Sequence, residues 1–167
     1  MPNVIYRDGS IRQDNWILVA RPAEGESLDI PHQPALIPAD LWLAGYEHFT
    51  GRDDIGVWFD SHDEPEILGG KVNELPVIAV NFPKFSDGRG YSIARLLRER
   101  FGFANELRAV GDVLLDQLQF MKRCGFDTYA LRPDKDINKA ARCLNFFSQG
   151  YQAATDTHVP LFRRRAS

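Results

Sequence analysis

Cysteine is scarce in this sequence: only Cys124 and Cys143 occur in 167 residues, nineteen positions apart. That spacing fits neither a CxxC redox pair nor the four thiolates that an iron–sulfur cluster usually needs, so both read as buried thiols. Long apolar runs are missing too. The longest last only a few residues, and charge enters as early as Arg7, which excludes a spanning helix and a signal peptide and predicts a cytoplasmic protein. Surplus positive charge is also lacking, since 20 Lys and Arg against 23 Asp and Glu leave a formal net charge of −3. No nucleic-acid or membrane partner is expected from that balance, and the basic run Arg163 to Arg165 reads as a solvated tail. The four histidines, His32, His48, His62 and His158, stand at no ligand-like spacing, so no metal centre is expected.

What is present describes one globular domain. The chain is 44% hydrophobic and 26% charged, without a polar low-complexity tract, and its length suits a single core over residues 1–167. Residues 1–20 read as a β-hairpin at a sheet edge: Val4-Ile5-Tyr6, a tight turn at Asp8-Gly9, then the apolar run Trp16 to Ala20. Residues 21–38, with Pro22, Pro31, Pro34 and Pro38, read as a surface connector. A short helix follows from Pro38 to Phe49, with Leu41, Ala44, Tyr46 and Phe49 at helical spacing. The α/β core runs to residue 150, and 151–167 form a C-terminal tail.

Within that core a short apolar run is followed repeatedly by a polar loop and a helical stripe. The runs are Ile55 to Phe59, Val77 to Val80, Leu107 to Val110 and Thr128 to Leu131. Ser92 is placed to cap the next helix, with Tyr91 stapled on Leu96, and Gly102-Phe103 ends it by folding back on Leu97. Arg95, Arg98 and Glu99 read as a solvated ion-pair stripe. Asp112 is placed to cap a second helix, whose apolar face is Val113, Leu114, Leu118, Phe120, Met121 and Cys124. Its wet face carries Asp116, Gln119 and Arg123, and Gly125-Phe126 ends it with Phe126 against Met121. A third helix begins near Asp134 or Asp136 and turns Ile137, Ala140, Ala141, Leu144 and Phe147 inward. Units of this length require right-handed crossovers between parallel strands. The fold class is therefore α/β, a mostly parallel sheet of about four strand-helix units, either an open sheet or a partial βα barrel.

Ligands gather at the carboxyl ends of parallel strands, and the stretch Asn81-Phe-Pro-Lys-Phe-Ser-Asp-Gly-Arg-Gly-Tyr-Ser92 sits there. One reading is a cationic pocket of Lys84, Arg89 and Arg132 beside the Ser92 helix start, suited to a small oxyanion. Under the other, Asp87 and Asp112 brace those arginines and the glycines Gly88 and Gly90 serve only the turn. Arg108 points either into the same cleft or across the sheet. Gln117 lies on an apolar face, where its amide needs a backbone partner, and His62, beside Asp60 and Asp63, reads as an ordinary loop histidine. Neither Asp-Gly-Arg-Gly nor any other stretch forms a GxGxxG or Walker loop, and no nucleophile stands with its base. Residues alone thus assign no reaction and no cofactor.

Phe82 to Ser92, Ala94-Arg-Leu-Leu-Arg-Glu-Arg100, Glu106 to Val113, Asp116-Gln117 and Arg123-Cys-Gly-Phe126 together resemble the signature of a bacterial family, domain of unknown function 934. Trp42, Tyr151-Gln152 and Pro160-Leu-Phe162 share the likeness, which runs from about Val4 to Gln152. Members are described as probable oxidoreductases involved in sulfite reduction, because they accompany a sulfite reductase in the genome. The resemblance implies an accessory protein of assimilatory sulfite reduction. Its loop would hold a sulfur oxyanion or dock sulfite reductase or its electron donor. The alternative is an oxidoreductase that binds flavin or a small oxyanion at the strand ends.

Overall fold

The computed structural model describes residues 3–23, 25–144 and 150–164; Phe147 and Arg165 lie outside them. Eight strands form one sheet in the order β2-β1-β8-β7-β6-β5-β4-β3. They are β1 (Asn3–Tyr6), β2 (Ile11–Gln13), β3 (Ile17–Leu18), β4 (Ala35–Pro38), β5 (Ile55–Phe59), β6 (Val77–Phe82), β7 (Glu106–Gly111) and β8 (Thr128–Tyr129). From β3 to β8 every neighbouring pair is parallel and consecutive, whereas β1 runs antiparallel to both of its neighbours, β2 and β8.

This order decides the architecture. Right-handed crossovers that always step the same way put their helices on one face. That face carries Ile37, Val57, Phe59, Ile78, Val80, Phe82, Leu107 and Tyr129, packed with Trp42, Leu68, Ile93, Leu97, Leu118, Met121 and Ala140 in one core. Each such side chain, fully buried, contributes about 1.5–3 kcal/mol. The other face holds a separate cluster of Leu36, Trp58, Val77, Ala79 and Val110, covered by Trp16. Edge strands β2 and β3 are joined by only Asp14, Asn15 and Trp16, a tether that spans at most ~14 Å. A flat eight-stranded sheet would be roughly 34 Å wide, so the sheet curls, as an open half-barrel, until its edges approach.

Helices α1 (Ala39–Ala44) and α2 (Tyr46–Phe49) break at Gly45; a 3₁₀ segment, Pro65–Glu74, kinks at Gly69. Then come α3 (Arg89–Arg95), continued by a π-helical turn (Leu96–Arg100), a 3₁₀ turn (Leu115–Gln117) into α4 (Leu118–Cys124), α5 (Ile137–Cys143) and α6 (Leu161–Arg164). Asp136 caps α5, accepting from the Asn138 and Lys139 backbone N–H groups, and Gly125, at φ 108, ends α4 with Phe126 N–H on the Met121 carbonyl at 3.2 Å.

The structure corrects several expectations. The four apolar runs are strands, but the sheet has eight strands rather than four units. The expected connector ends in β4, buried along its whole length. The second hairpin strand is Ile11–Gln13, while the run Trp16 to Ala20 contributes β3 at the opposite edge. Ser92 is not a cap: α3 starts at Arg89, whose backbone N–H is taken by the Asp87 carboxylate at 3.2 Å. Tyr91 packs at a tilt against Phe82 and edge-on against Phe120. Asp112 does not cap the next helix, and Phe120 is exposed rather than part of the apolar face. Arg95 and Glu99 pair on the surface, but Arg98 is largely buried.

Candidate functional site

The loops after the parallel strands form a braced rim. Arg89 donates through Nε and Nη2 to both oxygens of Asp87, at 2.9 and 2.6 Å, and through Nη2 to Ser61 Oγ at 3.0 Å. These hydrogen bonds, from Arg89 first and then Ser61, hold the Asp87 carboxyl well below the usual carboxylate range. Ser61 is buried, and its backbone N–H and the Asn81 amide both donate to Asp60 Oδ1, at 2.8 and 3.1 Å. Arg21 joins Asp40 at 2.5 Å to Asp63 at 3.5 Å. His62 stands 3.8 Å from both Asp60 and Asp63, with 66% of its side chain exposed, too far for a hydrogen bond.

A second cluster surrounds the loop tip. Asp112 accepts the Phe85 backbone N–H at 3.0 Å, and Gln117 donates to the Phe85 carbonyl at 2.7 Å. Asp112 is itself held by Arg132 at 2.9 Å, which forks onto both Asp134 oxygens. Both Asp134 and Lys135 complete that chain of charges at 3.1 Å. The hydrogen bonds to Asp134 and Asp112 raise the Arg132 pKa above its ordinary value. Phe85 is thus clamped at both backbone groups while its ring stays 54% exposed.

The residues singled out in the sequence therefore fall into two groups. Asp87, Arg89, Gly90 and Ser92 sit together, and beside them Ser61, His62, Arg89 and Ser92, with the carboxylates of Asp63, Glu64 and Glu66, border an open cleft of about 590 Å³. Asp112 and Arg132, with Gln117, belong to the Phe85 brace. Lys84 is exposed on the loop between the two. Arg108 belongs to neither: it is 2% exposed on the concave face, bound to Asp14 and Glu106. Gly88 and Gly90 do not take positive φ; a Cβ at Gly90 would lie 2.7 Å from the Phe82 ring, so close packing requires glycine there. Asp40, Asp60, Asp63, Asp87, Asp112 and Asp134 match the rim's cations, so no net-cationic pocket forms. Sequence reasoning places Ser61 at the strand ends without a role and gives Phe85 none, although an aromatic residue between Lys84 and Ser86 in a polar loop is a usable signal.

These features define a mostly parallel α/β half-barrel with a braced loop face at its strand ends. The chain belongs to the family described as bacterial protein of unknown function (DUF934), whose model matches residues 56–162, from β5 through the loop to the last helix. No curated protein matches it. Among the described residues no helix is long and apolar enough to cross a membrane.

Proposed function

We propose that this chain is an accessory protein of assimilatory sulfite reduction that docks sulfite reductase, or its electron donor, through the loop face around Lys84, Phe85 and Arg89. One observation carries the docking reading: Phe85 is fixed at both backbone groups, by Asp112 and Gln117, while its ring faces solvent. An exposed aromatic residue whose ordering cost is already met in the free protein is how a binding hot spot is built. Lys84 adjoins it without an ion-pair partner among the described residues, which favours an acidic partner face. Arg89 and Arg132 already hold carboxylates, so a bare oxyanion would have to displace them. The sulfite-reduction context comes from the family likeness.

Co-purification of sulfite reductase with the tagged chain tests the proposal. Phe85→Ala and Arg89→Glu should each lower recovery at least about tenfold, as loss of a hot-spot residue does. Unchanged recovery, or normal sulfite-dependent growth of a deletion strain, would sink it. The open cleft beside Arg89 favours a second reading, an oxidoreductase holding flavin or a small oxyanion there. A visible absorption band in the purified protein, or a heat shift with sulfite or flavin that Arg89→Glu abolishes, would support that instead.

A further inference from the structure

At the end of the sheet opposite Phe85, Arg7, Arg98, Glu99, Gly125, Thr155 and His158 line a second cleft, of about 510 Å³. That volume is in the range of small-molecule sites. Arg98 is fixed in its wall, donating to the carbonyls of Gly125, Phe103 and Asn105 and to Asp127. Asp127 must serve Arg7 as well, yet Arg7 Nη1 lies 3.8 Å from Asp127 Oδ1. This is too long for a hydrogen bond. Among the described residues, then, the Arg7 guanidinium has a charge neighbour but no acceptor.

The local charges do not balance. Glu99 is matched by Arg95 at 2.9 Å and Asp156 by Arg123 at 3.8 Å. Two guanidiniums share Asp127, which also accepts the Leu107 backbone N–H at 3.0 Å. One positive charge is left over. Arg98 registers this: burial lowers its pKa, Asp127 opposes the change, and Arg7 adds to it. Two like charges at the wall of an open cleft are stabilised by a bound anion, and a guanidinium with free N–H groups matches phosphate in fork geometry.

We propose that this cleft binds the phosphate group of a small molecule, with Arg7 as its principal ligand, His158 at its margin, and Arg98 supplying fixed positive charge. The site is independent of the Phe85 loop, and of whether that loop docks a partner.

Calorimetric titration of the full chain with inorganic phosphate and with glycerol 3-phosphate, at constant ionic strength against chloride, tests the assignment. Saturable binding is expected, about tenfold weaker in Arg7→Gln, as loss of charge-assisted hydrogen bonds implies, weaker in His158→Ala, and unchanged in Lys139→Gln, which removes one charge from exposed α5. Tighter binding of the ester marks an organic phosphate as the ligand, and equal binding marks the free ion; both support the shared chemistry. Absence of saturable binding, equal affinity in Arg7→Gln, or equal loss in Lys139→Gln would overturn it. Because the Arg7 side chain anchors no backbone group, Arg7→Gln should fold. Should it not, Arg7→Lys, which keeps the charge and loses the fork, must still weaken binding for the site to stand.

Discussion

Asp14 and Arg108 stand 94 residues apart in the chain and meet at 2.6 Å inside the curled sheet. Arg108 also donates twice to Glu106 Oε1, at 2.9 and 2.7 Å, and Thr128 Oγ donates to the same oxygen at 2.7 Å. Since Asp14 lies on the tether between the two edge strands, this bond fastens the tether across the concave face. Its cost is a buried cluster with two carboxylates and one guanidinium.

Removing either partner should therefore destabilise the fold unequally. Asp14→Ala leaves Arg108 paired with Glu106 and should cost about 2 kcal/mol. Arg108→Met leaves two carboxylates facing each other without a cation and should cost about 3–5 kcal/mol. Urea unfolding followed by tryptophan fluorescence measures both. Losses below about 1 kcal/mol in each variant would show that the pair does not fasten the tether.

A separate test concerns the rigidity of Phe85. Asp112→Ala removes the acceptor of its N–H and leaves Arg132 to Asp134 alone, so the Phe85 amide should exchange with solvent about tenfold faster, while core amides in β6 and β7 keep their protection. Gln117→Ala removes the donor to its carbonyl and should weaken partner recovery in the same direction as Phe85→Ala, by a smaller factor. Unchanged exchange in Asp112→Ala would mean that the loop is held by other groups.

The sequence was most legible where a signal is local. β5 and β6 are buried on both faces and read as apolar runs, and β7 as one interrupted only by Arg108; Asp136 and Gly125 announce a cap and a stop within a few residues. β4 escaped because only three apolar residues stand between Pro34 and Pro38; the residues of β3 read as strand, in the run Trp16 to Ala20, but the sequence does not show that they pair with β4 at the far edge. Asp112 reads in the sequence both as a cap and as a brace for the loop arginines, and the structure realises the brace, to Arg132. Arg108 shows the same limit more sharply: its first-choice partner, Asp14, is far away in the chain. Phe120 was counted as core because periodicity records apolarity, not which side of α4 is covered. The site residues were thus legible as residues, and their pairing was not.

Alkaline pH provides a further test. Burial pushes the Cys124 thiol up to about 11 and the Tyr91 hydroxyl up to about 12, and raises Tyr129 as well. Each folded pKa exceeds its unfolded value, roughly 8.5 for cysteine and 10 for tyrosine. Their contribution is therefore complete below those unfolded values and is lost as pH rises through the folded ones. The urea midpoint should be flat near pH 8 and fall between about pH 9 and pH 12. Cys124 accounts for on the order of 2 kcal/mol of the loss, so Cys124→Ala should delay its onset to the tyrosine range. Equal midpoints at pH 8 and pH 11 would contradict the burial of these groups.

Arg98 is the side chain whose conservative replacement should cost most. As one of three charged residues on a helical stripe it reads like a surface lysine, yet in the fold it joins the π-helical turn to two other segments, the loops before β7 and before β8. Nε reaches the Gly125 carbonyl at 2.9 Å, Nη1 reaches Phe103 at 2.5 Å and Asn105 at 2.9 Å, and Nη2 meets Asp127. Lysine keeps the charge but has three donors on one nitrogen, which cannot span acceptors set around a planar fork. At least one buried carbonyl then loses its partner, at about 1–3 kcal/mol. Arg98→Lys should thus lower stability by about 2–3 kcal/mol, whereas Arg95→Lys, one turn away and exposed, should change it by less than about 0.5 kcal/mol. Comparing the two variants in urea separates geometry from charge: if charge alone mattered, neither would move the midpoint.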